Sequence, residues 1–599
     1  MTFGNPGDWV VTKPSELLAH LRTLQARRGY LPDDSLVALA EELGQPLHRL
    51  HELVSFYPHF RRRPGRPVVV HVCRDMACQH RGAAACFEAM AAEAAAAGQQ
   101  VAVEWASCLG RCDRAPAAVV ESLGEPGVPG SHGDLARLTP TRGAEAVRAW
   151  ATGVGRSDPY QGPPDWSIDV YQNADCDYRA VAGLVAELEA GGVDRLLAAL
   201  REAELRGMGG AGVPAWRKWE DVRQARGDCK FVICNADESE PCTFKDREIL
   251  RYAPHLVIEG MVLGALVVGA EQGYVYIRHE YPEPRHYVEA EIERARALGV
   301  IGSNIMGTGR RFELEVFESP GGYVCGEQSA LIEAIEGRRS EPRNKPPQIE
   351  TNGLLDRPTL LNNVETFAWV PGIALRGAGW YANAGVKGSR WYTRRGKDGA
   401  KGKRLFSICG DVRKPGVYEM PIGSTLGELI ERAGGMAEGR SLKAVAPSGP
   451  SGGFLPARLT GADLGRGLPD GVDELGVWDL PLDLDEFRAL GLMLGAGLMV
   501  IGDGPSSDVL ELALGATRFF RNESCGKCVP CRIGSQKLVE IGERIAGGVG
   551  RPGDRELVSD LARTLELTSI CGLGQSAAKP LESALRFFVE ITEKNEAAR

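Results

Sequence analysis

No stretch of the chain is apolar over the roughly 20 residues needed to span a bilayer. The longest apolar run, Met261 to Ala270, is about ten residues long and reads as a buried helix. Met1 to Val10 lacks the basic segment, apolar run and small-residue cleavage site of a secretory signal. A cytoplasmic protein is therefore expected, peripheral to a membrane only through a partner and without direct insertion. An excess of positive charge is also missing: 70 Lys and Arg stand against 79 Asp and Glu, a net charge of -9. That speaks against a nucleic-acid binder, and anionic cofactors must find local cations or backbone donors. No His-Glu-x-x-His, Walker loop or Gly-x-Ser-x-Gly elbow offers a metalloprotease, P-loop or hydrolase reading. No period of roughly 20–50 residues marks a repeat protein.

What is there is length and cysteine. A chain of 599 residues leads one to expect about three to five domains. Of 15 cysteines, eight fall into tight groups at metal-ligand spacing, which implies a reducing compartment. Cys525, Cys528 and Cys531 form C-x2-C-x2-C, and Cys571 follows in Ser569-Ile570-Cys571-Gly572. Four thiolates are what a [4Fe-4S] cluster needs. Cys73 and Cys78, then Cys108 and Cys112, each lie where an apolar strand ends in a loop, so two loops from one end of a small sheet could clamp a [2Fe-2S] rhomb. Structural zinc is the alternative for both sets. The remaining seven, Cys86, Cys176, Cys229, Cys234, Cys242, Cys325 and Cys409, read as small buried hydrophobes. Two clusters make a one-electron relay, and a relay fed by nicotinamide needs a flavin to split the hydride's electron pair.

Pro14 to about Phe60 has helical spacing and reads as a small helical unit, and Arg61 to Arg66 reads as a solvated linker. A compact α/β unit follows, with strands Val68 to Val72, Val101 to Trp105 and Ala117 to Val120 and a helix from Ala83 to Ala97. After the Pro/Gly-rich stretch Asp158 to Asp165, apolar strands such as Phe231 to Cys234 and Tyr274 to Ile277 alternate with helices, as in an open α/β sheet. Leu405 to Val412, Gly416 to Met420 and the helix Leu426 to Ala433 suggest a β-grasp-like unit, and helical periodicity returns from Asp508.

Three segments are candidates for the flavin site. Gly207-Met208-Gly209-Gly210-Ala211-Gly212 lets backbone N–H groups approach a phosphate or flavin edge, and Lys218 could neutralise a phosphate. Asn235 to Pro241 sets an amide, Asp237, Glu238 and Glu240 at the carboxyl end of a strand, where open sheets bind ligands; a capped helix start is the competing reading. Gly321-Gly322-Tyr323-Val324-Cys325-Gly326-Glu327, with Lys345-Pro346-Pro347 and Asn362-Asn363, adds glycine, an aromatic, a cation and amides.

On these motifs the chain resembles the flavoprotein subunit of respiratory complex I, of the 51-kDa type, fused behind a domain similar to the 24-kDa subunit. The same fusion occurs in the diaphorase subunit of NAD-reducing hydrogenases and the β subunit of NAD-dependent formate dehydrogenases. The resemblance implies a multi-domain α/β protein: a helical bundle at 12–62, a thioredoxin-like [2Fe-2S] domain at 66–155, a Rossmann-like FMN and NADH domain at 166–398, a ubiquitin-like SLBB-type domain at 402–495 and a four-helix bundle with the [4Fe-4S] cluster at 506–595. It implies that Gly207, Gly209, Gly210, Lys218, Asn235, Asp237, Glu238, Tyr323, Gly326, Glu327, Asn362 and Asn363 surround FMN, with Glu240 and Lys345 on the nicotinamide side. It implies an NADH dehydrogenase module with NAD(H) as substrate and other redox subunits as partners, a 75-kDa-like, formate dehydrogenase α or hydrogenase subunit. The chain departs from the family at Val213 and Gln348, where rings that hold the dinucleotide are usual, and at Met208, Ala215-Trp216, Cys242, where glycine is usual, and Gln328. These departures leave open a scaffold that keeps FMN and clusters without binding nicotinamide.

Overall fold

The computed structural model describes residues 16–98, 100–122, 131–159, 165–172, 176–464, 468, 472–505 and 507–589. The Met1 to Val10 segment and 160–164 of the Pro/Gly-rich stretch lie outside the described residues. Helices Leu17–Arg28, Asp33–Glu42 and Leu47–Phe56 bury Leu18, Leu21, Leu36 and Leu50. Asp33 and Asp34 in a first turn and Arg27 and Arg28 in a last turn complement the helix dipoles. The arginine run that follows is more than a solvated linker: Arg61 bonds to Glu121 at 3.1 Å, and Arg62 pairs with Asp33. The sequence offers no hint of these distant acids.

Strands β1 (Val68–Cys73), β2 (Val101–Ala106), β3 (Ala118–Ser122) and β4 (Ser131–Leu135) form a sheet in the order β2-β1-β3-β4. β1 runs parallel to β2 and antiparallel to β3. Val68, Val70 and Val72 pack with Met90 and Val147 of helices Ala83–Ala96 and Pro140–Ala151. Because β1 and β2 are parallel, the loops after both leave the same edge of the sheet.

The largest part is built on β5 (Phe231–Ala236), β6 (Gln272–Arg278), β7 (Glu313–Ser319) and β8 (Thr359–Asn363), all parallel, in the order β7-β6-β5-β8. Alternate residues of β5 face different cores: Val232, Cys234 and Ala236 join one, Phe231 and Ile233 the other. A parallel sheet covered on both faces needs such an unbroken apolar strand. The second core runs on into the N-terminal helices through Leu18 and Leu50, and into the C-terminal helices through Phe520 and Leu538. Met261 to Val268 belong to the buried helix Pro254–Val268. No single helix among the described residues is long and apolar enough to cross a membrane.

Next come β9 (Lys403–Gly410), β10 (Gly416–Pro421), β11 (Leu442–Pro450), β12 (Leu455–Pro456), the hairpin pair β13 (Arg458–Thr460) and β14 (Glu474–Gly476), and β15 (Gly497–Gly502). Five of them form the mixed sheet β10-β9-β15-β11-β12. β9 ends two residues before the expected Val412, at Gly410, where φ turns to +84°. Helix Leu426–Arg432 starts in a capping box of Thr425 and Glu428. Helices Val509–Glu523, Val529–Ala546, Asp554–Thr568 and Lys579–Phe587 pack on one another at the C-terminal end. Six of the seven isolated cysteines are buried as expected, and Cys229 is exposed.

Candidate functional site

The chain passes from β5 to β6 to β7 in one direction and then returns to place β8 on the other side of β5. At such a switch point a crevice opens beyond the carboxyl ends of the strands, here β5 and β8. Loop 206–214 lies across it, closed by Gly207 N–H donating to Val213 O at 2.8 Å. Gly209 approaches Asn363 so closely that a β-carbon would stand 3.2 Å from the asparagine's own. Gly210, at φ +115°, would carry a β-carbon with nothing within 4 Å. The tip of the loop thus opens onto free space, a cradle whose backbone can meet a flat or phosphorylated ligand.

The acid-rich loop after β5 is held from several sides. Asn235 donates to Gly326 O at 2.9 Å and accepts from Asp237 N–H at 3.1 Å, so two of the expected segments are tied together. Asp237 accepts from Ser239 and from Ser319 Oγ at 2.9 Å. Glu238 accepts the first N–H groups of helix Lys245–Tyr252, from Asp246 at 2.8 Å and Arg247 at 3.1 Å, and the Tyr281 hydroxyl at 3.2 Å. Here the capped-helix reading and the ligand-loop reading both describe the same loop. Glu240 accepts from Ser451 N–H at 3.0 Å and from the Tyr323 hydroxyl. Burial pushes Asp237 up to about 6 and Glu240 up to about 7, and burial with Asp246 nearby raises Glu238.

On the β8 side Asn363 caps helix Val364–Arg376 through Glu365 N–H at 3.1 Å and binds Asp246 at 2.5 Å. Asn362, with its amide oriented to satisfy both neighbours, donates to Leu361 O at 3.1 Å and accepts from Trp219 Nε1 at 2.8 Å. Lys218 donates to Leu361 O at 2.8 Å, and burial lowers its pKa against the pull of Glu350. Glu327 caps helix Gln328–Ile335 and accepts from Lys345 at 3.0 Å. Asn235 is thus brought to Gly326, Gly209 to Asn363 and Glu327 to Lys345, while Asn362 and Lys218 are turned to Leu361. Lys345 also borders a cleft of about 580 Å³ on its far side, shared with Arg338, Arg343 and Asn352. Val213 is 42% exposed and Gln348 is exposed at the rim. Trp216 is held under the Arg201 guanidinium, 4.1 Å from its ring centre.

One cysteine set is tied to the acid-rich loop, and the other adjoins Val324, next to Tyr323. Cys73 ends β1, Cys78 sits on the helical turn Met76–His80, Cys108 follows β2 and Cys112 opens the turn Cys112–Arg114. Cys78 is thus on a helix and not in an open loop, because the chain coils straight after Asp75. All four are buried; Cys73 meets Cys78 and Cys108, and Cys108 Sγ lies 3.5 Å from Cys112 Sγ. Arg278 donates to Cys108 O and to Glu238 O, each at 2.6 Å, so the cysteine loop is fastened to the acid-rich loop.

Cys525, Cys528, Cys531 and Cys571 line one hollow with Val324, next to Tyr323. Cys528 and Cys571 are the N-cap residues of helices Val529–Ala546 and Gly572–Ser576, whose free N–H groups favour an anionic centre. Among the described residues, no three His, Cys, Asp or Glu side chains have the arrangement of a single-ion site. Two all-thiol quartets are the donor chemistry of iron–sulfur ligation, so the residues fit the clusters. Sequence reasoning missed Arg278 and Ser451, which carry no local signal. It missed the role of Glu523, which accepts Tyr323 N–H at 2.7 Å and stands two residues before Cys525.

Family models match along the chain: "Thioredoxin-like [2Fe-2S] ferredoxin" at residues 8–124, "Nuo51 FMN-binding domain" at 200–372, "SLBB domain" at 405–455 and "NADH-ubiquinone oxidoreductase-F iron-sulfur binding region" at 511–595. Fold and site define an iron–sulfur flavoprotein, with FMN, a [2Fe-2S] and a [4Fe-4S] cluster as its cofactors. The chain is 40% identical over 427 residues to an NADH-quinone oxidoreductase F subunit of Rhizobium meliloti, covering 71% of this chain and 93% of that one. It is 37% identical over 395 residues to the NADP-reducing hydrogenase subunit HndC of Solidesulfovibrio fructosivorans, 66% of this chain and 74% of the relative. A crystal structure of NAD+-reducing [NiFe]-hydrogenase in the H2-reduced state superposes with a TM-score of 0.79 at 30% identity, covering 96% of this chain and 92% of the other. The chain belongs to the family of NADH-quinone oxidoreductase F subunits.

Proposed function

We propose that the chain is the NADH dehydrogenase, or NAD-reducing diaphorase, module of a larger redox complex. The observation that carries this reading is how the acid-rich loop is tied: Arg278 joins Glu238 to Cys108 of one cysteine quartet, and Glu240 bonds Tyr323, whose neighbour Val324 walls the hollow of the other. FMN bound there would exchange a hydride with nicotinamide and single electrons with the clusters. Gly207, Gly209, Gly210, Lys218, Asn235, Asp237, Tyr323, Gly326, Glu327, Asn362 and Asn363 would hold it, and Glu238 would fix the loop that faces it. Glu240 and Lys345 would lie on the nicotinamide side, with Glu240 neutral below about pH 7 and so tolerant of an anionic dinucleotide. Cys73, Cys78, Cys108 and Cys112 would ligate the [2Fe-2S] cluster, and Cys525, Cys528, Cys531 and Cys571 the [4Fe-4S] cluster.

The chain would divide at 12–62, 66–155, 166–398, 402–495 and 506–595, the last a four-helix bundle. The partner would be a redox subunit of the 75-kDa-like, formate dehydrogenase or hydrogenase type, in the cytoplasm or peripheral to a membrane through that partner. The exposed Val213 and the exposed Gln348 favour a second reading, a scaffold without nicotinamide binding. Anaerobic addition of NADH to FMN-replete protein decides between them: bleaching of the flavin is expected, and a flavin left oxidised by excess NADH supports the scaffold. Val213→Phe with Gln348→Phe should tighten NADH binding, each ring adding about 0.5–1.5 kcal/mol, or roughly 2- to 13-fold. An unchanged dissociation constant at full FMN content would place the dinucleotide elsewhere.

A further inference from the structure

Cys242 sits in the segment that joins Glu240 to helix Lys245–Tyr252, and its backbone is unusual. Its φ is +74°, in the left-handed region where a β-carbon is crowded and glycine is the unstrained residue. The residue is fully buried, and β15 presses on it so closely that a β-carbon at Gly497 would stand 2.6 Å from the Cys242 carbonyl carbon. A side chain is thus kept where glycine would be easier, in a cluster with Cys108, Cys112, Cys409 and apolar groups such as Phe244 and Met499. Strain of this kind persists where the surroundings over-determine it, and points to a role.

Two contacts give that role. Cys242 N–H donates to Cys112 Sγ at 3.2 Å. The Cys112 and Cys409 sulfurs are neighbours of the Cys242 thiol, which can turn its proton towards either. Cys409 directs its own S–H to Leu498 O at 3.6 Å, so its sulfur is a weak, neutral acceptor. A ligating Cys112 is a thiolate, which can only accept, and a charged acceptor draws the stronger bond.

We propose that Cys242 is a positioning residue for the [2Fe-2S] centre: its backbone N–H and its S–H both donate to the Cys112 sulfur and hold the reduction potential of that centre up. The proposal rests on Cys112 being a ligand. One added electron makes the centre and its thiolates more negative, so donors to a ligand sulfur stabilise the reduced state more than the oxidised one. The thiol keeps its proton throughout, and no other reactant is needed. Because the left-handed backbone aims the N–H at Cys112, the strain and the donor pair belong to one device.

The test is an anaerobic potentiometric titration of the full chain with both clusters assembled, each centre followed by EPR. Cys242→Ala removes the S–H and keeps the β-carbon, Cys242→Gly removes the S–H and relieves the backbone, and Cys242→Ser puts an O–H donor in its place. In the Ala and Gly variants the reduced-to-oxidised ratio of the [2Fe-2S] centre at a fixed potential should fall about threefold to tenfold, tenfold being 59 mV for one electron. The Ser variant should recover at least half of that change. The [4Fe-4S] centre should keep its potential in all three, which a general loosening would not allow. A [2Fe-2S] ratio within about 1.5-fold of wild type in both Ala and Gly variants overturns the proposal. Cys112→Ser separates it from the ligand assignment: an unaltered [2Fe-2S] spectrum there overturns the assignment and the proposal together, whereas an altered spectrum beside unmoved Cys242 potentials overturns the proposal alone.

Discussion

Glu240 is a carboxyl with two hydrogen-bond donors and no cation beside it: Ser451 N–H on one oxygen and the Tyr323 hydroxyl on the other. Desolvation outweighs both donors and raises its pKa from 4.5 to about 7. The folded state therefore holds the proton more tightly than the unfolded chain. Stability from this group is fully present below pH 4.5 and is lost as pH rises to about 7, beyond which nothing more changes. Two and a half pH units correspond to roughly 3 kcal/mol. Glu240→Gln should remove that slope. In flavin-depleted protein, the thermal midpoint of Glu240→Gln should gain on wild type between pH 5 and pH 7 and run parallel to it above; parallel curves throughout would mean that Glu240 titrates normally. The sequence shows the acid-rich loop at the end of a strand. The division of labour within it is not legible there, because Glu240 and Glu238 stand two residues apart, yet Glu240 bonds Tyr323 and Ser451 far along the chain while Glu238 caps the helix that follows it directly.

At the scale of elements, apolar runs announce the parallel strands: β5 and β6 begin and end within a few residues of their expected bounds. β4 gives no such signal, since Ser-His-Gly-Asp-Leu offers one large apolar side chain and the strand is ordered by pairing with β3 alone. Helix Lys245–Tyr252 depends on a cap from outside its own sequence neighbourhood. Its N-cap, Phe244, has no side-chain bond to give, and Glu238 supplies the acceptors for Asp246 and Arg247 N–H. Glu238→Ala should cost about 1–2 kcal/mol, as lost caps do, and strand two buried donors. Hydrogen exchange should report it as faster exchange at Asp246 and Arg247, with the amides of helix Pro254–Val268 unchanged. Equal acceleration in both helices would show a wider unfolding and not a lost cap.

At the scale of the molecule, the site is put together from parts that the sequence reveals singly and never as a set. The cysteine spacings disclose two quartets, but nothing in them says that Arg278 of β6 will fasten Cys108 to the acid-rich loop, or that Val324 will wall the other quartet. Long-range arginine contacts leave no periodicity, so only the fold could reveal that Arg278 ties Cys108 to Glu238. The arrangement has a consequence for iron. Cys73, Cys78, Cys108 and Cys112 belong to the sheet of β1 to β4 and its turns, whereas Cys525, Cys528, Cys531 and Cys571 belong to the C-terminal helices, and the quartets share no residue. Anaerobically prepared protein should hold about six iron atoms per chain, four and two. In Cys571→Ser the hollow loses one thiolate while Cys108 Sγ still lies beside Cys112 Sγ, so the tetranuclear EPR signal should vanish and the binuclear one persist, with iron falling to about two per chain. Flavin content should be unchanged, because Cys571 belongs to the C-terminal helices and its replacement leaves the bonds of Asn235 to Gly326 and of Asn363 to Asp246 in place. Loss of both EPR signals in a variant that keeps its FMN would mean that the quartets are not independent, and stoichiometric zinc with little iron in wild type would overturn the cluster assignment altogether.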